Sequence, residues 1–405
     1  MNRRVLAILS YGHLATDLPQ GAIPTLLPVF KAEYHLSYTT VGFIVLMANI
    51  SSSVIQPLFG VLSDRYRVGW LMPVGALVAG VGIVLAVLSP TYAIMVAMVF
   101  LSGLGVAAFH PEGYKFAGLI SGERKATGMS YFSVGGNLGY GLGPAAAGLA
   151  ISLGGRDGML YVLAFSIPAA ILLWGVGATR EEERLEAAWA SHAAAVAPPA
   201  PPRPQARVSR AGAAVLAILI VFVVLRSWTQ VGFASFIPLY FTGVRHADPR
   251  FAGVLVSVFL GAGAAGTLFG GWAADRWGHR FMLIFSMAIL PPLLWMLPRA
   301  SGIWLILIAL ISGMAVVSTF AVAMVLAQAV IPERIGLISG LIIGFAVGTG
   351  GIGVTILGAV ADHWGVLTAM DVAAMLPIVA FGIAWLLPRD PQPVRNSGGP
   401  ADVPV

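Results

Sequence analysis

Twelve apolar stretches run through this chain, at roughly 5–30, 38–63, 70–88, 92–113, 126–152, 158–178, 212–243, 250–274, 280–298, 301–325, 336–361 and 366–387. Each approaches or exceeds the ~20 residues a helix needs to cross about 30 Å of hydrocarbon. The runs are continuous and lack the two-residue alternation of a membrane barrel, so they predict helices. Composition points to lipid as their solvent. Hydrophobic residues make up 58% of the chain and charged residues 10%, against about 25% charged in a soluble domain. The first stretch follows Arg3 and Arg4, as a secretory signal would. It is too long for one, holds His13, Asp17 and three prolines, and has no small-residue cleavage site, so it is expected to stay as a span.

With an even number of spans both termini lie on one side. The termini and the loops on their side carry seventeen lysines and arginines. The opposite loops carry five: Lys31, Arg156, Arg245, Arg250 and Arg299. The positive-inside rule then places both termini in the cytoplasm of an inner-membrane protein. The net charge of +6 is an orientation signal, and no nucleic-acid partner is expected. The absence of cysteine excludes disulfides and thiol chemistry.

A polar, Pro-rich stretch at 179–210 separates the sixth span from the seventh. It divides the chain into an N-terminal bundle (1–178), a cytoplasmic linker (179–210), a C-terminal bundle (211–388) and a disordered tail (389–405). The two bundles repeat each other. Gly60-x-x-x-Asp64-Arg65 returns as Gly271-x-x-x-Asp275-Arg276, 211 positions on. Gln20, eight residues before Pro28, returns as Gln230 before Pro238, 210 positions on. Two independent markers thus share one register. A parallel repeat of six spans resembles the construction of the major facilitator superfamily. That likeness implies an all-α membrane protein of twelve transmembrane helices in two pseudo-symmetric six-helix bundles.

The Asp-Arg motif lies where that superfamily carries its signature loop. An Asp just past a helix end can accept backbone hydrogen bonds from a neighbouring helix start, in one conformation and not in another. Gly60, Asp64, Arg65, Gly271, Asp275 and Arg276 are therefore candidate gating residues; plain positive-inside anchoring is the competing reading. Small residues recur at intervals of four as Gly135, Gly139 and Gly143, as Gly253, Ser257 and Gly261, and as Gly336, Gly340, Gly344 and Gly348. Such stripes let backbones approach closely, for two bundles rocking on each other or for static packing alike. Gly139-x-x-x-Gly143-Pro144 also resembles the fifth-helix motif of proton-coupled drug exporters, which adds Gly139, Gly143 and Pro144 to the gating set. Gly261-Ala-Gly263-Ala-Ala-Gly266 matches a dinucleotide fingerprint, but no strand precedes it, and the nucleotide reading is rejected.

Ionisable groups inside the membrane carry the remaining information, because a charge at the bilayer centre costs about 2.5–3.5 kcal/mol even on the mildest scale. His13 and Asp17 are four apart and share a helical face. Asp17 and Arg226 both reach roughly mid-depth, on the repeat-equivalent first and seventh spans, where either coupling or a structural ion pair would suit them. His110 and Glu112 are read as ending the fourth span. Asp17, Glu112, His13 and His110 are the candidate proton-coupling residues. Arg226, Gln20, Gln230, Trp228 and Asn137 are the candidate substrate-binding residues. No paired catalytic carboxylates, metal-ligand spacing or nucleophile elbow appears, so neither an enzyme nor a cofactor is expected.

Phe109–Gly113 (FHPEG), residues 130–144 (SYFSVGGNLGYGLGP) and 56–65 (QPLFGVLSDR) are similar to the fosmidomycin resistance protein branch of the superfamily. The resemblance implies a proton-driven inner-membrane exporter of a small phosphonate, working as a monomer. Proton-driven uptake of a small organic anion or sugar derivative, and a transport-inactive sensor or scaffold, remain as alternatives. The topology makes its own prediction. A cysteine introduced at 195–207 of this cysteine-free chain should react with a membrane-impermeant reagent only from the cytoplasmic side. Labelling from the other side would overturn the topology.

Overall fold

The computed structural model describes residues 2–66, 68–177, 210–330, 338, 341–342 and 348–388, the side chains of Asp64, Glu123, Lys125, Ala126, Arg210 and Ala211 excepted. The stretch 179–209 of the expected linker and the tail 389–405 lie outside these residues. Among the described residues all regular structure is helical. In chain order the helices are α1 (Arg3–Glu33), α2 (Tyr38–Asn49), α3 (Gln56–Arg65), α4 (Leu71–Leu88), α5 (Tyr92–Ser121), α6 (Lys125–Gly154), α7 (Leu163–Gly177), α8 (Arg210–Gly243), α9 (Pro249–Trp277), α10 (His279–Met296), α11 (Gly302–Val330), α12 (Gly350–Trp364) and α13 (Val366–Ala384).

Nine described segments are long and apolar enough to cross a membrane. α1 and α6 are equally long, at 31 and 30 residues, but carry His13, Asp17, Gln20, Asn137 and many glycines. Hydropathy misses them because they face each other and a cavity more than they face lipid. α12 is the described part of the eleventh span. α2 and α3 make up the second span, which was expected to be one continuous helix. A π-helical turn at Ile50–Val54 joins them, with the Ile55 N–H donating to the Ile50 carbonyl at 3.2 Å. The fourth span also differs from expectation. α5 runs on to Ser121, so His110 and Glu112 lie inside a helix rather than at its end.

The two halves use the same pairings. α4 packs on α5 and α7, as α10 packs on α11 and α13. Between halves, α2 packs on α12, α6 on α9 and α1 on α8. The closest of these approaches lie toward the end that carries the 34–37, 155–162, 244–248 and 365 connections. There a Cβ on Gly42 would stand 2.5 Å from the Thr355 Cα, one on Gly351 2.3 Å from the Leu46 Cα, and one on Gly253 2.3 Å from the Pro144 carbonyl. The Ala145 N–H donates to Ser257 Oγ (2.9 Å), and Ser152 Oγ donates to Asp248 Oδ1 (2.5 Å). That hydroxyl, with the Arg250 N–H, holds the Asp248 carboxyl below its usual range. The halves are sealed at this end.

The glycine stripe of α6 has a different role from the one expected. Cβ atoms on Gly135, Gly139 and Gly143 would meet the carbonyl oxygens of Ser10, Leu14 and Leu18 at 2.0–2.4 Å. All three belong to α1 of the same half, so Gly139 and Gly143 pack a helix pair within that half and do not line the seam between halves. Pro144, Gly148 and Gly253 do lie on the seam. Of the eleventh-span stripe only Gly348 is described, and it approaches Val54 of the other half.

Gly21 tests the α1–α6 pair from the other side, since its Cβ would stand 2.2 Å from the Tyr140 carbonyl oxygen. Two backbones meet there and neither can turn aside. Gly21→Ala should destabilise the protein by about 1–3 kcal/mol, read as a lower midpoint of thermal unfolding in detergent. An unchanged midpoint would show that this pair separates freely.

Candidate functional site

A cavity of about 580 Å³ lies between the halves, lined by α1, α2, the π-turn, the start of α3, α5, α6, α8, α9 and α11. Its wall runs from Ile23, Val45 and Leu260 near the sealed end to Gln56 and Leu268 near the other. Asp17, Gln20, His110, Asn137, Arg226 and Gln230 all line it.

On the N-terminal half three side chains converge. His13 Nε2 lies 3.2 Å from Asp17 Oδ2 and 3.2 Å from His110 Nε2, and His110 Nε2 lies 3.4 Å from Asp17 Oδ1. The helical face shared by His13 and Asp17 is as predicted; the arrival of His110 is not. It stands 93 positions after Asp17, and nothing in linear spacing announces the meeting. The other ring nitrogens are committed. His13 Nδ1 lies 2.9 Å from the Phe132 carbonyl and His110 Nδ1 2.8 Å from the Val106 carbonyl. A carbonyl only accepts, so both Nδ1 atoms must carry hydrogen and donate. Neutral rings would then turn two bare Nε2 lone pairs toward a carboxylate, and three acceptors facing one another repel unless a proton or another cation sits among them. His13 is 3% exposed, behind His110 and Asp17. Phe132 stacks on its ring at 4.2 Å between centroids, and Phe109 and Tyr114 flank it. Gly136 makes the room, since a Cβ there would stand 2.3 Å from His13 Nε2.

On the C-terminal half Arg226 is 5% exposed. Its Nε donates to the Val316 carbonyl (2.9 Å), and its guanidinium lies over the Phe320 ring, 5.3 Å from the centroid. Among the described residues no carboxylate pairs with it, and it is the one Lys or Arg lining the cavity. Among the described residues no ion pair joins Asp17 to Arg226, and Asp17 instead meets the histidines of its own half. Tyr140, which the sequence reading passed over, lines the cavity within electrostatic reach of both. Its signal was the face of Val134, Asn137 and Tyr140, three residues apart in a run that glycines dominate. Gln20 donates to Ser52 Oγ of the π-turn (3.0 Å).

Other predicted residues lie elsewhere. Trp228 does not line the cavity; its ring faces α12, where Gly353 makes space for it. Glu112 is 1% exposed, 4.0 Å from Lys115 Nζ and away from the cavity wall. It does not meet water, as a group at a helix end would. Gly60 and Gly271 have open space around them, and Arg65, Asp275 and Arg276 are exposed. The gating role expected of the Asp64 side chain falls outside the described residues.

The Major Facilitator Superfamily model matches residues 9–248 and, in a second match, 218–404. The chain is 29% identical over 375 residues to the fosmidomycin resistance protein of Escherichia coli (strain K12), covering 93% of this chain and 90% of that one. It is 31% identical over 386 residues to the uncharacterized MFS-type transporter YfnC of Bacillus subtilis (strain 168), covering 95% and 93%. In fold it is similar to a bacterial homologue of the human lysosomal transporter Spinster in an inward-facing, occupied conformation. That match has a TM-score of 0.73 at 14% identity, over 95% of this chain and 96% of that one. With the repeated bundles and the central cavity, these matches show that the chain is a multi-pass membrane transporter belonging to the Major Facilitator Superfamily, in the branch that the 109–113 and 130–144 motifs resemble.

Proposed function

We propose that this transporter exports a small anionic compound of the phosphonate class in exchange for protons, by alternating access, as a monomer in the inner membrane. The observation that carries the reading is the pairing of two unmatched sites in one cavity. A cluster of three acceptors that needs a proton or another cation stands on one half, and a buried guanidinium with no carboxylate partner among the described residues stands on the other. A buried cation left unpaired is costly, and an anionic substrate supplies the partner. Arginine's planar fork suits the oxygens of a phosphonate, and with Nε held by Val316 the two Nη nitrogens are left for the ligand. Gln20, Asn137, Tyr140 and Gln230 supply neutral polar groups around it. The names of the fosmidomycin resistance relative and of a more distant multidrug resistance relative favour export. With both termini cytoplasmic, the sealed end is periplasmic and the conformation faces inward.

The proton also acts mechanically. Asp17 and His13 stand on α1, and His110 stands on α5. A bound proton draws the two helices together, and its loss leaves like-signed lone pairs and a carboxylate in contact. Protonation is thereby linked to the spacing of α1 and α5 at the cavity wall. One observation favours proton-driven uptake instead. An anion on Arg226 strengthens the hold of the cluster on a proton, so that the two bind together rather than compete. The direction of the luminal pH change on adding substrate decides between exchange and co-transport.

Two substitutions test the sites, in proteoliposomes and chelator-treated buffer with fosmidomycin as probe. Asp17→Asn replaces the carboxylate with a group that can donate, imitating the protonated cluster. It should keep substrate exchange and lose accumulation driven by a pH gradient. Proton movement at the wild-type ratio would place the carrier elsewhere. Arg226→Lys keeps the charge without the fork and should weaken binding about tenfold. Arg226→Ala should weaken it by up to about a hundredfold, the range of a charge-assisted hydrogen-bonded pair. Normal binding by Arg226→Ala would remove the physical support for an anionic substrate.

A further inference from the structure

At the sealed end the last turn of α12 lies beside the first turn of α2, one helix from each half. Asp362 stands in the last turn of α12. Its Oδ1 accepts the N–H of Tyr38 at 2.7 Å, and its Oδ2 accepts the N–H of Thr39 at 2.9 Å and the Thr39 hydroxyl at 2.6 Å. These donors are the first residues of α2, on the other half. Ser37, the N-cap of α2, takes only the next N–H, that of Thr40, at 3.1 Å. The orphan N–H groups of this helix start are thus divided between its own cap and a carboxylate from across the seam, which also stands at the positive pole of α2.

The approach depends on three glycines. Cβ atoms on Gly351, Gly42 and Gly358 would stand 2.3 Å from the Leu46 Cα, 2.5 Å from the Thr355 Cα and 2.4 Å from the Tyr38 carbonyl oxygen. Tyr38, Gly42 and Leu46 form one edge of α2; Gly351, Thr355, Gly358 and Asp362 form one edge of α12. The antiparallel edges bring the carboxylate to the helix start. The Ser152–Asp248 contact at this end differs in kind. Asp248 caps its own helix through the Arg250 N–H (2.7 Å), so withdrawing Ser152 leaves α9 capped. Withdrawing Asp362 leaves two N–H groups of α2 without a protein partner.

We propose that Asp362 is a state-setting residue of the transport cycle: it completes α2 only while this end is shut, and so weights the conformational equilibrium toward the form in which the cavity opens at the opposite end. Asp362 is exposed to water, so solvent takes over the freed N–H groups when the seam opens. The contact biases the equilibrium and does not lock it.

The test needs neither substrate nor proton gradient, so its outcome is independent of the roles assigned to Asp17 and Arg226. The chain has no cysteine, which lets a spin-label pair be placed at Ala32→Cys and Leu367→Cys, exposed positions on opposite halves of the sealed end. Distance distributions are read for the full chain in nanodiscs. Asp362→Ala should raise the ratio of long to short distances about two- to tenfold, the range set by helix-end caps and charges. Asp362→Asn, which keeps one acceptor oxygen, should fall between it and the parent. Thr39→Pro attacks the contact from the other side, removing one N–H and the hydroxyl at a first-turn position where proline fits a helix; it should shift the ratio the same way. Ser152→Ala should shift it less. A parent-like ratio in Thr39→Pro, or in a folded Asp362→Ala, would overturn the proposal.

Discussion

A carboxylate in the middle of a membrane-spanning helix is costly to place there, and the architecture around Asp17 answers that constraint. Two imidazoles reach it, each pinned through Nδ1 to a backbone carbonyl, so the side facing Asp17 is fixed as well. The backbone thereby makes a chemical choice for the rings. The aromatic box of Phe109, Tyr114 and Phe132 keeps His13 dry, and the bare position at Gly136 lets the ring sit against α6. The 109–113 and 130–144 motifs thus meet in space around one acid, although sixteen residues, with the turn between α5 and α6, separate them.

Glycine does two separate jobs in the helix contacts. Along α1 and α6 it removes side chains so that two backbones of one half lie against each other, which holds Asp17 and His13 at a fixed height beside Phe132. Along α2, α9 and α12 it brings backbones of different halves together. A stripe of small residues in the sequence predicts close approach in both cases. It does not say which helix approaches, and that alone separates a rigid strut from a sliding surface.

The fold was largely legible because hydrocarbon imposes long apolar helices and the repeat markers share one register. The site was legible where cost is local: Asp17 and Arg226 are conspicuous in apolar runs wherever their partners are. Their partners were not legible. His110 looked like a group at a helix end because Pro111 and Glu112 suggested a stop, yet the α5 helix runs through the proline. Trp228 sits two residues from Arg226 and therefore on another face, which a reading by depth alone could not distinguish. Asp362 gave no sign, because its partners are backbone N–H groups with no sequence signature.

The π-turn at Ile50–Val54 resets the phase of the second span. An extra residue in one turn rotates everything beyond it by about 100° relative to an unbroken helix. Before the turn, Tyr38, Gly42 and Leu46 keep to the α12 edge while Val45, Ala48 and Asn49 face the cavity; within and beyond it, Ser52, Ser53 and Gln56 carry that wall on. A seam with the other half and a polar wall for the passenger make competing demands on helical periodicity. Within the turn the adjacent Ser52 and Ser53 both line the cavity, so this serine-rich segment sets two hydroxyls beside Gln56 in the wall.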